Sequence, residues 1–323
     1  NASFAAPIAK PSGELYTFVL EDSAHPDKLL GTCSVVSKTG GFEPFYNYEL
    51  RDERYESDVL GVDKTVQSLH LLEDHNGPSE VGGLFLRPGV RGGGFGRILV
   101  VARFLFMAGR PGAFDPRVVA EVRGVTDENG DSPFWDAVGR HFFGVDFATA
   151  DQLSFKEKKI IADLMPDHPI YVPMLPRSAR DVIGVEHDFA TPARRLLESE
   201  GFAFNQQVDI FDAGPTLATD LKQIRAVTNS QICEIASTDG KSGERADTLV
   251  CNDRLDFVGV PADIKVSDGR VRLSEDAAKA LGVGVGDSVR LVPLRSAEPV
   301  PPRRSAHSDE IDLYGTLPLP QES

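Results

Sequence analysis

The chain has 323 residues, of which 41% are hydrophobic and 26% charged, so it can form about two folded domains and is not a disordered polymer. Its 34 basic and 49 acidic residues give a net charge of -15 and a pI near 4.9, which disfavours a nucleic-acid partner. No stretch reaches the roughly 18–20 consecutive apolar residues of a membrane span, and three scattered cysteines favour neither a disulfide framework nor a zinc site, so we expect a cytoplasmic protein without a metal.

The first part of the chain predicts antiparallel strands. Residues 15–20 and 30–36 are rich in aromatic and β-branched residues, and a turn around Pro26 makes them neighbours in one sheet. A polar, aromatic stretch follows at 45–48, and residues 68–72 form another short strand. This order of elements favours a sheet that is mostly antiparallel.

The central block alternates strands and helices more clearly than any other part of the chain. Ser132 and the proline after it are typical of a helix start, and Gly201 is typical of a helix end. The predicted elements are strands at 80–86 and 117–125, a glycine loop at 91–96, helices at 98–107 and 132–143, three helical patterns around a strand at 170–172, and a closing strand at 207–211.

The composition changes near residue 225. Beyond it the pattern predicts short strands separated by turn signals, with one short helix at 277–281, and this is typical of a small β-barrel. After Arg295 the chain is rich in proline and charge and is predicted to be disordered. The predicted domains are therefore 1–225, a barrel at 226–295 and a disordered tail at 296–323, and the predicted barrel strands lie at 232–236, 248–251, 263–266, 271–273 and 288–293.

The glycine loop, Arg91 to Gly96, carries the sharpest chemical signal. Its R-x-x-G-x-G pattern lies between a strand and a helix, where glycines let the backbone approach an anion and the helix start offers N–H groups. A dinucleotide fold would require different spacing, and the lysine of a Walker A loop is absent. The loop resembles the coenzyme A pyrophosphate loop of the GNAT acyltransferase superfamily; the alternative is a glycine turn without a ligand.

The strand before this loop contains two adjacent glycines, Gly82 and Gly83. Adjacent glycines in a strand indicate a bulge or a close backbone approach. In the GNAT superfamily the equivalent strand separates from its neighbour at a bulge, and its N–H groups bind the pantetheine and the thioester. Simple packing is the alternative explanation for these glycines.

A longer series of motifs makes the resemblance more specific. These motifs resemble those of the arginine N-succinyltransferase family, and they occur in the same order along nearly the whole chain. The motifs are FYNY at 45–48, SE at 79–80, RFLFMA at 103–108, VAEVRGV at 119–125, SPFW at 132–135, FF at 142–143, LMP at 164–166, HPIY at 168–171, DVIG at 181–184, DIFD at 209–212 and GPTL at 214–217.

The resemblance implies an α+β fold with a GNAT-like, mostly antiparallel sheet flanked by helices. It implies transfer of the succinyl group of succinyl-CoA to the α-amine of L-arginine in arginine catabolism. By family position, Leu84 contacts succinyl-CoA and His187, after the DVIG motif, is the proton donor. Family chains begin with a β-α-α segment of about fifty residues, by analogy, and we expect this chain to start at the end of that segment.

Other site residues follow from their chemistry. Glu121 and Arg123 are two apart on one predicted strand and therefore face the same side. The carboxylate would hold the acceptor's ammonium or guanidinium, and the guanidinium would bind the succinyl carboxylate; alternatively, both form ion pairs with neighbours. Of the arginines around the loop, one or two would meet the CoA phosphates and the rest would be solvated. These arginines are Arg87, Arg91, Arg97 and Arg103.

The sequence as a whole therefore predicts direct acyl transfer. CoA is held by Leu84, Arg91, Gly94 and Gly96, His187 moves the proton, and no tightly bound cofactor or metal is needed. Two alternatives stay open: a succinyltransferase acting on ornithine or another basic amine, and an inactive subunit that binds acyl-CoA and regulates a partner. We expect an oligomer, formed by copies of this chain or with a paralogous subunit.

Overall fold

The computed structural model of the chain describes residues 2–4, 10–41, 43–154, 159–240 and 246–295. The predicted tail at 296–323 lies outside the described residues, as do residues 5–9 of the opening segment. Within these ranges, no helix is long and apolar enough to cross a membrane.

A nine-stranded sheet forms the centre of the molecule. Its strands are hydrogen-bonded in the order β1-β2-β5-β6-β9-β8-β3-β4-β7. The pair β5–β6 is parallel and the other neighbours are antiparallel, which confirms a mixed, mostly antiparallel sheet. The strands are β1 (Leu15–Asp22), β2 (His25–Val36), β3 (Phe45–Ser57), β4 (Val62–Asp74), β5 (Ser79–Leu86), β6 (Arg117–Glu121), β7 (Ile170–Tyr171), β8 (Ala203–Val208) and β9 (Pro215–Asp220).

Two parts of this sheet differ from the sequence prediction. β3 and β4 pair along their full length as one long hairpin, where only short segments were predicted. β9 was not predicted, because Gly214 and Pro215 were interpreted as the end of a strand. A proline is tolerated as the first residue of a strand, since the ladder does not need its N–H there, and Pro215 occupies that position.

Helix α1 is buried along most of its length. Seven apolar side chains between Leu99 and Met107 are buried, so the helix is covered on more than one side. Arg103 is buried with them, and the prediction that this arginine is either a phosphate contact or solvated is therefore wrong. The helices are α1 (Phe95–Gly109), α2 (Pro133–Ala137), α3 (Gly139–Phe143), α4 (Phe147–Ser154), α5 (Lys159–Leu164), α6 (Arg177–Arg180), α7 (Thr191–Ser199), α8 (Arg225–Thr228) and α9 (Glu275–Leu281).

A second core forms where the short helices cover β3, β4 and β8. Trp135 and Phe134 of α2 are fully buried in it, beside Tyr48 of β3. The Ser132 hydroxyl accepts a hydrogen bond from the N–H of Trp135, which confirms the predicted helix cap. The helix predicted to run to residue 143 breaks at Val138, whose φ and ψ of -124° and -78° are not helical.

The C-terminal part is an open sheet and not a barrel. Its five strands pair in the order β12-β11-β14-β10-β13, and the edge strands β12 and β13 are not paired with each other within the described residues. The predicted barrel is therefore wrong, because one face of β11 and β14 packs against α1 and the sheet does not close on itself. The strands are β10 (Gln231–Ser237), β11 (Thr248–Cys251), β12 (Gly259–Ala262), β13 (Arg270–Arg272) and β14 (Ser288–Pro293).

Helix α1 therefore lies between the two sheets. Leu249, Cys251 and Val292 of the C-terminal sheet belong to the same core as the α1 side chains and the inner face of the large sheet. The Arg225 guanidinium adds a polar link, because it binds the buried Glu200 carboxylate at 2.6 Å and the Pro293 carbonyl at 2.8 Å. The domain boundary near residue 225 stays a prediction.

Candidate active site

The parallel strands β5 and β6 separate shortly after they pair. Hydrogen-bond partners connect Ser79 with Val118 and Glu80 with Val119, and no later residues of the two strands pair within the described chain. On its other side, β5 contains a bulge, because Ser34 pairs with Gly82 but Thr32 with Phe85. The extra residue lets β5 bend away from β6, so a gap opens between the strands at Gly83 and Leu84.

Gly83 is required at this bulge. Its φ is +59°, in the region that favours glycine, and an added Cβ would lie 2.8 Å from the Ser34 hydroxyl oxygen. The Thr32 hydroxyl donates a hydrogen bond of 3.2 Å to the Gly83 carbonyl. The bulge predicted from the paired glycines is thus present, and Leu84 follows it directly.

The glycine loop leads into the amino end of α1. Gly94 is the residue before the helix, with φ of +84° and no side chain capping the first turn. A Cβ added at Gly94 would have no atom within 4 Å, so the space in front of the helix is open. The first backbone hydrogen bond of this helix runs from the Arg97 N–H to the Gly94 carbonyl at 3.1 Å, so the N–H groups of Phe95 and Gly96 precede it. An anion in this space would meet these two groups and the positive end of the helix dipole.

Two further loop residues line the same approach. Gly96 lies in the first turn, and an added Cβ would touch side-chain carbons of Leu86 and Leu196 at 3.5 Å. Arg91 is exposed, and its Nε donates to the Leu86 carbonyl at 3.1 Å, which leaves the outer guanidinium nitrogens facing solvent. The loop therefore offers open N–H groups and a cation at one end of the β5–β6 gap.

The sheet face opposite α1 is polar. Val118 and Ala120 face the α1 core, so Val119 and Glu121 face the other way. Glu121 pairs with Thr216 of β9, whose hydroxyl donates to the Asn47 side chain at 3.1 Å. Thr216 and Asn47 therefore place a hydroxyl and an amide on the same face as the Glu121 carboxylate.

Electrostatics on the polar face favour protonated carboxyl groups. Burial, and then the Asp209 and Glu80 carboxylates, raise the pKa of Glu121 well above its usual range, although the neighbouring Asn47 amide acts in the opposite direction. Burial, followed by Asp212, raises the pKa of Asp209 to about 8. A cation placed among these groups would stabilise their ionised forms.

The raised pKa of Asp209 predicts a pH-dependent stability. Between about pH 4 and 8 the folded state keeps a proton that the unfolded state has lost, so this group makes the free energy of unfolding fall as pH rises, by up to about 1.4 kcal/mol per pH unit. Asp209→Asn keeps an oxygen for the N–H groups of Phe211 and Asp212. Urea unfolding at pH 5, 6.5 and 8 should show the variant gaining stability relative to the parent as pH rises; parallel profiles would contradict the assignment.

Asp212 connects the end of β6 with the β8–β9 turn. Its carboxylate is 3% exposed and accepts hydrogen bonds from the N–H groups of Gly124 at 2.9 Å and Gly214 at 2.8 Å. It also lies 3.3 Å from Nε of Arg123. These contacts fix the backbone of residues 122–124 beside the turn.

Arg123 forms ion pairs with neighbours, one of the two alternatives open from the sequence. Its guanidinium contacts Asp151 at 3.4 Å as well as Asp212, lies 4.8 Å from the centre of the Phe147 ring, and its side chain is 48% exposed. One side of the guanidinium therefore remains accessible to a further carboxylate.

His187 lies beside the same backbone segment. Its backbone N–H donates to the Arg123 carbonyl at 2.8 Å, and the neighbouring Glu186 forms a β-bridge with Gly124. Nδ1 of His187 accepts the N–H of Phe189 at 3.1 Å, and the two rings stack with centres 5.0 Å apart. Because Nδ1 is an acceptor, the neutral ring carries its proton on Nε2, which is the nitrogen available to a substrate.

The Glu186 carboxylate does not support His187 directly. It binds the Arg194 guanidinium at 2.6 Å and accepts a hydrogen bond from the Thr191 hydroxyl at 3.3 Å, so this adjacent acid has partners of its own. Side chains adjacent in an extended segment point apart. The orientation of His187 therefore depends on backbone contacts with Arg123 and Phe189.

A cavity of about 390 Å³ lies on the polar face. Asn47, Val119 and Gln207 line it, together with the charged residues Asp74, Arg117 and Asp220. Its volume can hold a small polar molecule, and its lining of amides and of charges of both signs suits one. Asn47 lines this cavity and is also a neighbour of Glu121. No group of three His, Cys, Asp or Glu side chains in the described ranges is arranged to hold a metal ion.

Comparison with known proteins identifies the family. The family model described as arginine N-succinyltransferase beta subunit matches residues 1–226, and the model for its C-terminal domain matches residues 231–293. The chain belongs to the arginine N-succinyltransferase family. An arginine N-succinyltransferase from Yersinia pseudotuberculosis serotype O:3 (strain YPIII) is 43% identical over 297 residues, which are 89% of this chain and 84% of the relative.

Two further relatives agree with this assignment. An arginine N-succinyltransferase from Escherichia coli (strain 55989 / EAEC) is 41% identical over 285 residues, covering 88% of this chain and 83% of the relative. The solved structure of arginine/ornithine succinyltransferase subunit AI from Pseudomonas aeruginosa superposes with a TM-score of 0.81 at 37% identity, covering 91% of this chain and 86% of that one. The family expected from the motifs is therefore confirmed, as is an α+β fold with a mostly antiparallel sheet and helices.

Some residues at the site carried no role in the sequence prediction. Asp209 and Asp212 belong to the DIFD motif, which carried the resemblance without a function assigned to it. Both aspartates lie beside Gly124 and Gly214, where an added Cβ would collide with the neighbouring backbone. Glycines next to this motif are the sequence signal that two backbone segments meet closely there. The roles of Leu84, Arg91, Gly94, Gly96, Glu121, Arg123 and His187 stay proposals.

Proposed function

We propose that this chain transfers the succinyl group of succinyl-CoA to the α-amine of L-arginine, giving N2-succinyl-L-arginine and CoA. The observation that carries the proposal is the match to the arginine N-succinyltransferase family along almost the whole described chain. The gap between β5 and β6 beside an open helix start is consistent with an acyl-CoA site.

The CoA thioester would enter through the glycine loop. The pyrophosphate would lie before α1, near the backbone of Gly94 and Gly96 and the Arg91 guanidinium. The pantetheine would follow the bulged edge of β5, and the thioester carbonyl would then lie near Leu84. Succinyl-CoA is a co-substrate in this proposal, and no bound cofactor takes part.

The acceptor would approach from the polar face. Glu121 and its neighbouring carboxyl groups would bind the cationic amino acid, and their repulsion would fall as the cation arrives. The accessible side of Arg123 would bind the free carboxylate of the succinyl group. These contacts would place the amine against the thioester carbonyl carbon.

The chemical step needs one proton transfer. The neutral amine attacks the carbonyl carbon, the C–N bond forms, and the carbonyl electrons move to the oxygen, which the β5 backbone stabilises. When the oxyanion collapses, the C–S bond breaks and the sulfur takes the Nε2 proton of His187 as the ring takes up the proton that the nitrogen loses. The two movements are coupled, so the net result is one proton passed from nitrogen to sulfur, no imidazolate forms, and the ring ends as it began.

A thiol-release assay with succinyl-CoA and a panel of amines tests this function. We expect release with L-arginine and much less with lysine or with Nα-blocked arginine. Ornithine is the second candidate acceptor, because the similar Pseudomonas aeruginosa structure is named an arginine/ornithine succinyltransferase subunit. Binding of succinyl-CoA without thiol release with any amine would instead favour a regulatory subunit.

We also propose that the chain forms an oligomer. Light scattering measures the mass of the particle in solution and therefore the number of chains in it.

Arg123 should contribute to the choice of acyl donor. Arg123→Met should lower the preference for succinyl-CoA over acetyl-CoA by about 10- to 100-fold, less than for a fully buried pair because the side chain is 48% exposed. Competition between the two thioesters measures the ratio. Arg140→Met is the matched control, since Arg140 is 45% exposed and also faces two carboxylates. Unchanged discrimination would place the succinyl carboxylate elsewhere.

A further inference from the structure

Arg103 is a buried cation on the central helix that the proposed reaction does not use. Its side chain is 1% exposed among apolar neighbours, and its guanidinium carbon lies 5.2 Å from the centre of the Phe104 ring. Within the described residues, no carboxylate lies within 4.0 Å of it and its Nε has no hydrogen-bond partner. Burying a charge without a direct ion pair is costly, even though the Glu200 carboxylate attracts it from further away, so a methionine or leucine here would suit the core better.

The contact that a hydrocarbon could not make is with the bulge of β5. Nη1 of Arg103 donates to the Gly82 carbonyl at 3.2 Å. The following carbonyl, of Gly83, accepts from the Thr32 hydroxyl at the same distance. Both carbonyl groups of the bulge are therefore held by side chains, one from α1 and one from β2.

These two contacts orient the N–H groups of the bulge. The peptide group between Gly82 and Gly83 is planar and trans, so its N–H points away from its carbonyl. Because the carbonyl accepts from Arg103 on the α1 side, the Gly83 N–H points away from α1, towards the polar face of the sheet from which the acceptor would approach. A guanidinium on the carbonyl oxygen also polarises the peptide group and strengthens its N–H as a donor.

We propose that Arg103 is a positioning residue for acyl transfer: it fixes and polarises the Gly82–Gly83 peptide group so that the Gly83 N–H stabilises the oxyanion formed from the thioester. This rests on the proposed function. The step itself is unchanged, since the thioester oxygen gains the electron pair as the C–N bond forms and loses it as the C–S bond breaks. Arg103 neither donates a proton nor touches the substrate.

Kinetics of an Arg103 series provide the first test. Arg103→Met should lower kcat by about 10- to 100-fold, less than the 10²–10³ of a deleted oxyanion donor, while KM for both substrates changes less than about threefold. Arg103→Lys should recover most of kcat. Arg110→Met is the matched control, because Arg110 also lies at α1 and binds backbone carbonyls, of Phe106 and Asp253, away from the site; it should keep kcat.

A spectroscopic test separates this proposal from the proposed function. In protein labelled with ¹⁵N-glycine, the Gly83 amide proton should move upfield in Arg103→Met and stay near its parent position in Arg103→Lys. If the parent chain shows no transfer, the proposed function fails, but this comparison still decides the role of Arg103. An unchanged Gly83 resonance, or kcat retained per folded molecule, would overturn the proposal.

A milder variant covers the case in which Arg103→Met does not fold. Thr32 is partly exposed, and Thr32→Val removes the partner of the adjacent Gly83 carbonyl without burying a new polar group. It should lower kcat several-fold and shift the Gly83 resonance, with unchanged thermal stability. Full activity and an unchanged Gly83 resonance in Thr32→Val would show that the side-chain contacts do not orient the bulge.

Discussion

His187→Ala should lower kcat by about 10²–10⁴-fold with KM for both substrates roughly unchanged. That range is the usual contribution of a general acid–base group, and a loss confined to kcat indicates an interaction made only in the transition state.

The matched control is His168→Ala. The His168 side chain is 91% exposed and lies next to Asp167, away from β6 and its extension. This variant should keep kcat and both KM values. A loss below tenfold in His187→Ala would make His187 a structural residue, and Glu121→Gln would then be the next variant to measure.

Gly94→Leu should raise KM for succinyl-CoA by about tenfold or more while leaving KM for arginine within twofold. A side chain at this position would occupy the open space before α1 and block the approach of a pyrophosphate to the N–H groups of the first turn. The φ of +84° adds backbone strain, which has to be separated from loss of binding.

Gly130→Leu provides that separation. Gly130 has a φ of +83°, an added Cβ would also meet no atom within 4 Å, and it lies in the turn at 127–131. Both variants should lose similar stability in thermal unfolding, but only Gly94→Leu should weaken succinyl-CoA binding. Equal effects on KM for both substrates would indicate general misfolding and contradict the loop assignment.

Local patterns predicted the elements that depend on local chemistry. The glycine loop, the Ser132 cap and the bulge at Gly83 depend on which residues tolerate a given backbone conformation, and that information lies within a few residues. The long β3–β4 hairpin and the open C-terminal sheet depend on which distant strands become neighbours. Sheet closure in particular depends on the edge strands, and no local pattern at β12 or β13 shows whether they meet.

In the candidate site, too, the features that depend on distant parts of the chain were not predictable from local sequence. Leu84 and His187 came from resemblance to a family and not from their immediate sequence. Arg123 faces Asp212, and Glu121 faces Asp209, only because strands distant in the chain pair beside β6, and Arg123 meets Asp151 because helix α4 packs there. Charge interactions of this kind follow from the strand order, so the raised pKa of Glu121 was not predictable from residue types.

The position of α1 between two sheets has a consequence for cooperativity. A chain ending near residue 225 would leave the α1 side chains that contact Leu249, Cys251 and Val292 open to water. The same helix carries the glycine loop at its amino end and Arg103 at its centre. Both sheets and the loop should therefore unfold in denaturant as one cooperative unit. A ligand bound at the loop should also slow hydrogen exchange of backbone amides in the distant C-terminal sheet.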